Sequence, residues 1–398
     1  MFNETNNLNS VKSNFYLRIF LFFFFSFQQL LSIRFFFSSK YIIYDPFYSW
    51  TVYILFSSII FWILINNNLT IKFLTHKIIF IITICISLLF FLKMYPIADA
   101  MKNLNLGVDQ DDCFFVFIEN FKNSKFLYSK TYLGNPCSTG LLEFVFYFPV
   151  VFWNNFFSIV PVLSLLIFYY LLSREVNNKI AVFFTLIQLC NIIYIEMGVA
   201  GSDFILIGVA YMASLRLSHM GFKYNKKTYL FYSFLFFIFF YGSRSVFLLL
   251  IPFNFYLLWL RFNNKVLLLF VPITLVSILS YSIPFYINPE MFTPFHLFGK
   301  VYSMLYPIKY YILISLFLFI FNLVRYKLFI KNFFTGKNYF LLLQVLLISV
   351  PLSLVVLVSI FSTNSFKSWE ELNYTLLFIP SICYLFAKFL NKKTIFTS

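Results

Sequence analysis

The sequence predicts an all-α, polytopic membrane protein, and three observations carry that expectation. Only 11% of the 398 residues are charged, against about 25% in a soluble domain, too few to cover a water-facing surface. Apolar runs recur at roughly the 20-residue length that crosses a bilayer. The formal charge of +16 sits in the connections between these runs and chiefly on one side of them, as the positive-inside bias requires. The basic balance therefore reads as topology, and no nucleic-acid partner is expected. The runs are continuous, whereas a transmembrane barrel would alternate in segments of about 10 residues.

About twelve spans are expected, at 15–37, 50–66, 77–95, 156–172, 180–199, 203–220, 228–241, 246–260, 266–284, 308–324, 338–361 and 373–390. The first run is too long for a signal-peptide core and lacks a small-residue cleavage site, so it is expected to stay. The long apolar stretch from 228 onward exceeds one span and is divided at "YGSRS" into a tight outward hairpin. The stretch "LLEFVFYFPVVFW" is too short to cross and contains Pro149, so it is expected to lie in the interface. With both termini in the cytoplasm, inward connections such as "RLSHMGFKYNKK" and "VRYKLFIKNFFTGK" are basic, and only Glu4 and Glu175 among the acids lie inside. The chain then forms a single transmembrane domain over 1–398. It carries a long extracytoplasmic loop at 96–155 and a second at 285–307, in what reads as a bacterial inner (plasma) membrane.

The first outward loop holds "GVDQDDCFFVFIENF", which places Asp109, Asp111, Asp112 and Glu119 close together in a chain with only 14 acidic residues. One reading is a solvated loop. Another is a working site, because crowded like charges repel and force one group to keep its proton. The apolar residues Phe114, Phe115, Phe117, Ile118 and Phe121 have helical spacing, so the carboxylates stand at a helix N-terminus, where the helix dipole favours negative charge. A divalent cation, Mg or Mn, would suit clustered carboxylate oxygens at Asp109, Asp111 or Asp112.

The acidic pair after an early span, the apolar helix and then "YSKTYLGNPCSTGLLEFVFYFPVVFW" resemble the first outward loop of the GT-C class of membrane glycosyltransferases. The resemblance implies a sugar donor on polyprenyl phosphate and no required cofactor. It implies a base role for Asp111, with Asp112 its neighbour and Asp109 a substitute. The two leading spans have no counterpart in the core of that family.

Other outward residues fit the same expectation. Glu196 and Asp203 flank the turn in "YIEMGVAGSDFILIG", where the resemblance implies a second acid; helix capping by "GSD" is the competing reading. Arg244 in "YGSRS" suits a donor phosphate, since a guanidinium matches phosphate oxygens in pairs; contact with lipid headgroups is the alternative. His296 and Lys300 in "FTPFHLFGK" are further phosphate candidates, with a structural role the alternative for His296. Trp369 in "WEELNY" stacks on a sugar or anchors the chain at the interface.

Cys85, Cys190 and Cys383 fall in spans as packing residues, whereas Cys113 and Cys137 share the outward loop, where an oxidising compartment permits a disulfide. No phosphate-cradling glycine loop, serine elbow or HExxH motif is present. The expected function is an inverting transfer of a sugar from polyprenyl phosphate to a glycan, lipid or protein acceptor on the extracytoplasmic face. The rival classes are an O-antigen-type polymerase of lipid-linked oligosaccharides, and a transporter or flippase. Transport predicts broken helices near the bilayer midplane.

Overall fold

A computed structural model describes residues 18–19, 21–30, 32, 35–36, 45–67, 73–101, 110–151, 156–296, 299, 349 and 374–391. The expected span 308–324 and all but one residue of 338–361 lie outside the described residues. Among those described the chain is helical and no strand forms; isolated bridges join Lys130 to Pro136 and Thr139 to Arg244. Among the described residues four helices are long and apolar enough to cross a membrane, or five if a bent pair counts as one span. The protein is thus an α-helical membrane protein.

Helix α1 (Leu21–Leu30) is followed by α2 (Pro46–Asn66). Asp45 caps α2, accepting from the backbone N–H groups of Phe47 and Tyr48 at 2.8 and 3.1 Å, and Pro46 suits the first turn. Helix α3 (Lys77–Ala100) extends beyond its expected end at 95, carrying Pro96 and Asp99 within it. Two short helices, α4 (Asp112–Lys122) and α5 (Leu141–Val151), form the loop predicted after α3. Helix α6 (Val160–Ser173) follows a 3-10 turn and has Pro161 in its first turn.

The expected span 180–199 is broken. Helix α7 (Asn178–Leu189) ends and α8 (Ile192–Val199) begins at an angle of 65°. The cause is local: the Asn191 side chain accepts from the Ile193 N–H at 3.0 Å and starts a new helix. Beyond it, α9 (Phe204–Tyr224) is the central element, with 94% of its most apolar window buried. A left-handed Asn225 (φ 51°) ends α9 and turns the chain into α10 (Lys227–Ser243). Small polar residues let these two helices approach closely: the hydroxyls of Ser218 and Ser233 lie 2.6 Å apart, and Ser233 also donates to the Ser214 carbonyl at 2.8 Å.

The expected span 246–260 starts as a 3-10 turn, Ser245–Leu250, before α11 (Ile251–Phe262). Helix α12 (Leu267–Ile287) and α13 (Ile379–Leu390) complete the described elements. One apolar core joins α3, the loop helices and α8 to α12, and a second joins α1, α2, α6, α7, the Arg216 half of α9 and α13. At that end Glu175 pairs with Arg216 and also accepts from Lys388 Nζ at 2.6 Å, while Arg216 lies over the Tyr384 ring at 5.1 Å.

Candidate functional site

The site grows from the top of α3 and the start of α4. Asp111 caps α4: its Oδ1 accepts from the Asp112 N–H at 3.0 Å, and its backbone carbonyl accepts from Phe114 at 2.9 Å. Its other oxygen, Oδ2, accepts from the Tyr95 hydroxyl at 2.7 Å. Asp111 is fully buried and Asp112 nearly so. Two donors and the N-terminal end of the helix dipole offset the cost of holding that carboxylate away from water.

Asp99, reaching from the last turn of α3, joins this group: one carboxylate oxygen each from Asp99, Asp111 and Asp112 lie within 4.8 Å of one another. The three hard oxygens form a donor set suited to Mg or Mn. Asp99 thus adds to the expected Asp111 and Asp112, while Asp109 lies outside the described residues. Glu119 does not belong to it. It is exposed in the C-terminal part of α4 and accepts from the Tyr132 hydroxyl at 3.3 Å.

Aromatic packing fixes the loop helices. Phe117 stacks on Phe144 with ring centres 3.7 Å apart, and Phe114 meets Phe144, Tyr147 and Phe157 at 5.1, 4.6 and 5.3 Å. Such pairs contribute about 0.5–1.5 kcal/mol each beyond simple burial. A Cys113–Cys137 disulfide ties α4 to the chain before α5. The second loop docks on the first, since Thr293 Oγ1 donates to the Cys137 carbonyl at 2.7 Å and Tyr128 meets Phe292 at 5.0 Å.

The turn between α8 and α9 closes over Asp111. Gly201 has φ +77°, and a Cβ there would sit 2.7 Å from Asp111 Oδ2, so both backbone and space demand glycine. Beside it, Ser202 Oγ donates to Gln110 Oε1 at 2.6 Å. Asp203 does not cap α9 with its side chain; Ser202 Oγ lies 3.4 Å from the Phe204 N–H instead. The Asp203 carboxylate turns to Arg244, accepting from Nη2 at 2.5 Å.

Arg244 departs from its expected role. Its side chain is buried, and Nη1 donates both to Glu143 Oε2 at 2.8 Å and to the Ser243 carbonyl at 2.9 Å. The guanidinium also lies 5.3 Å from the centre of the Phe204 ring. Burial would lower its pKa, but Asp203 and Glu143 outweigh that and hold it high, so it stays charged. Glu143 is fully buried on α5, and burial pushes its carboxyl well above the usual range; the Asp203 charge adds to the rise and Arg244 opposes it. The donor phosphate expected at Arg244 is thus replaced by two carboxylates.

The remaining expected residues scatter. Glu196 lies half-buried in α8 and is not among the carboxylates bound to Arg244. His296 is half-buried, with Nδ1 2.8 Å from the Thr293 carbonyl oxygen, to which that N–H donates. Lys300 and Trp369 lie outside the described residues. Tyr95, Asp99 and Glu143 went unforeseen. Glu143 carried a usable signal, as the only acid in an apolar stretch of 13 residues.

Two apolar cavities flank the region. One of about 250 Å³ is lined by Phe146, Tyr147, Leu206, Phe236 and Phe239, between α5, α9 and α10. A larger one of about 530 Å³ lies between α11 and α12, lined by Ile251, Phe255, Phe270 and Leu275. Compared with known proteins, the chain matches no family model, no curated protein and no solved structure.

Proposed function

We propose that this chain is an inverting glycosyltransferase of the GT-C kind with about twelve spans, acting on a polyprenyl-phosphate sugar at the extracytoplasmic face of a bacterial plasma membrane. The observation that carries the reading is the gathering of Asp99, Asp111 and Asp112 where α3 meets the loop helix α4. The Cys113–Cys137 bond belongs on the oxidising side of a membrane, which supports an extracytoplasmic loop. The apolar cavity beside α5 suits the hydrocarbon of a prenyl donor.

In this reading the acceptor hydroxyl gives its proton to the Asp111 carboxylate, which the Tyr95 hydroxyl and the Asp112 N–H hold in place. The acceptor oxygen forms a bond to the anomeric carbon from the face opposite the phosphate. The bond from that carbon to the phosphate oxygen breaks, its electron pair leaves with polyprenyl phosphate, and the configuration inverts. Asp99, Asp111 and Asp112 are the residues that would hold a divalent cation such as Mg or Mn, which would supply positive charge to the reaction. His296 and Lys300 remain the phosphate candidates in place of Arg244.

The test is Asp111→Asn in proteoliposomes carrying a polyprenyl-phosphate sugar and acceptor. Transfer is expected to fall about 10²–10⁴-fold with membrane insertion intact; normal turnover removes the base assignment. The break between α7 and α8 favours a second reading as a transporter or flippase. Donor lipid crossing sealed vesicles without sugar transfer would establish that reading instead.

A further inference from the structure

One guanidinium and two carboxylates meet away from water at the junction of α5, α9 and α10. Side-chain exposure is 3% for Arg244 and 0% for both Glu143 and Asp203. If both acids were ionised, this buried group would carry a net negative charge out of contact with bulk solvent, an unfavourable state. Both carboxyls hold one oxygen on Arg244, and the second oxygen of each, Glu143 Oε1 and Asp203 Oδ1, is buried with no donor among the described residues. Among the described residues no further cation joins them: the other titratable groups there that face Glu143 and Arg244 are Tyr128, Tyr147, Tyr281 and Tyr374. Burial holds the Tyr128 and Tyr147 hydroxyls in their neutral form.

The place of this group gives it consequence. Asp203 follows directly on the Gly201–Ser202 turn, which touches Asp111 Oδ2 on one side and Gln110 on the other. Glu143 precedes Phe144, whose ring stacks on Phe117 of α4. The Arg244 backbone bridges Thr139, and the Gly140 N–H donates to the Ser243 carbonyl at 2.9 Å. Each arm of the ion group therefore holds an element that abuts Asp111 or its helix.

We propose that Glu143 and Asp203 share a single proton beneath Arg244, and that this neutral buried unit positions the Gly201 turn and α4 around Asp111. Glu143, Asp203 and Arg244 are then positioning residues for the transfer proposed above. The role assigned to the turn rests on that reading, while the shared proton does not.

The test uses the full chain in detergent and needs no substrate. Infrared difference spectroscopy is expected to show the C=O stretch of one buried protonated carboxylic acid. Glu143→Gln and Asp203→Asn each leave one carboxylate to ionise against Arg244, so each variant stays folded and loses that band. The double variant Glu143→Gln/Asp203→Asn strands the guanidinium. Hydrogen exchange in peptides covering 110–114 and 200–204 is then expected to accelerate on the order of tenfold, with the change spreading to both segments. A wild-type spectrum without the band, or a band kept in both single variants, overturns the shared proton. Faster exchange confined to 243–245 overturns the positioning role. If the double variant fails to fold, Arg244→Lys supplies the exchange comparison, since a lysine keeps the charge but not the two-pronged geometry. A wild type that transfers no sugar defeats the transferase reading and leaves the infrared and exchange results to stand or fall separately.

Discussion

At the Asp203 end of α9, one guanidinium serves two carboxylates; at the Arg216 end, one carboxylate serves two cations. The two groups lie about 20 Å apart along one helix and resolve their excess charge in opposite ways. Around Arg244 every partner is sealed from water, so the surplus negative charge has to be removed, and a proton does that. Around Glu175 the surplus is positive, and Lys388 keeps 21% of its side chain exposed, so water solvates it. Arg216 also has the Tyr384 ring beside it, a further favourable surface for a cation. An ion group in a membrane protein thus depends as much on which member reaches water as on how many charges meet.

The largest expected effect comes from Arg244→Met. Removing the guanidinium leaves Glu143 and Asp203 buried without their shared partner, a loss of about 3–5 kcal/mol, read as a steep fall in denaturant resistance of the purified protein. Arg216→Met should cost less, about 1–3 kcal/mol, because Lys388 still holds Glu175. Equal losses in the two variants would erase the contrast drawn here.

A pH series sharpens it. Glu143 has a raised pKa, so its contribution is complete below the ordinary value of 4.5 and fades as pH climbs from there toward the raised value. For Glu175 burial acts upward, yet Arg216 and Lys388 prevail and hold it below its ordinary value; its contribution is present above 4.5 and fades as pH falls through the lowered value. Thermal unfolding from about pH 4 to pH 9 should show Glu143→Gln flattening the alkaline decline and Glu175→Gln flattening the acidic one. The reverse assignment of limbs would contradict the charge balance. The smallest effect belongs to Lys388→Met, about 0.2–1 kcal/mol in the same unfolding assay, because its ammonium is already partly hydrated.

Part of the bundle was legible from apolar runs alone, since the long helices α2, α3, α9 and α12 each fall on an expected span. The loop helices were legible as well, from helical spacing at Phe114, Phe117 and Ile118 and from the brevity of 141–153. The break at Asn191 was not seen, since hydropathy runs smoothly through "LCNIIYI" and only the capping side chain interrupts it. Asp99 was missed because the expected span stops at 95, whereas the helix continues through Pro96 to Ala100. Arg244 was read as open to a ligand because its partners lie 41 and 101 residues away, a separation no local pattern reveals. Pairing of Cys113 with Cys137 was permitted by their shared loop and is realised.

The buried state of α9 bears on how the chain is made. Carrying Arg216 and His219 among serines and glycines, it is the least apolar of the four long helices, and alone it would partition poorly into lipid as it leaves the translocon. Its serine contacts with α10 across the Asn225 turn mean that the two enter best as a paired unit. Biogenesis should therefore stall when synthesis is truncated between them, although the first of the pair has already been translated in full.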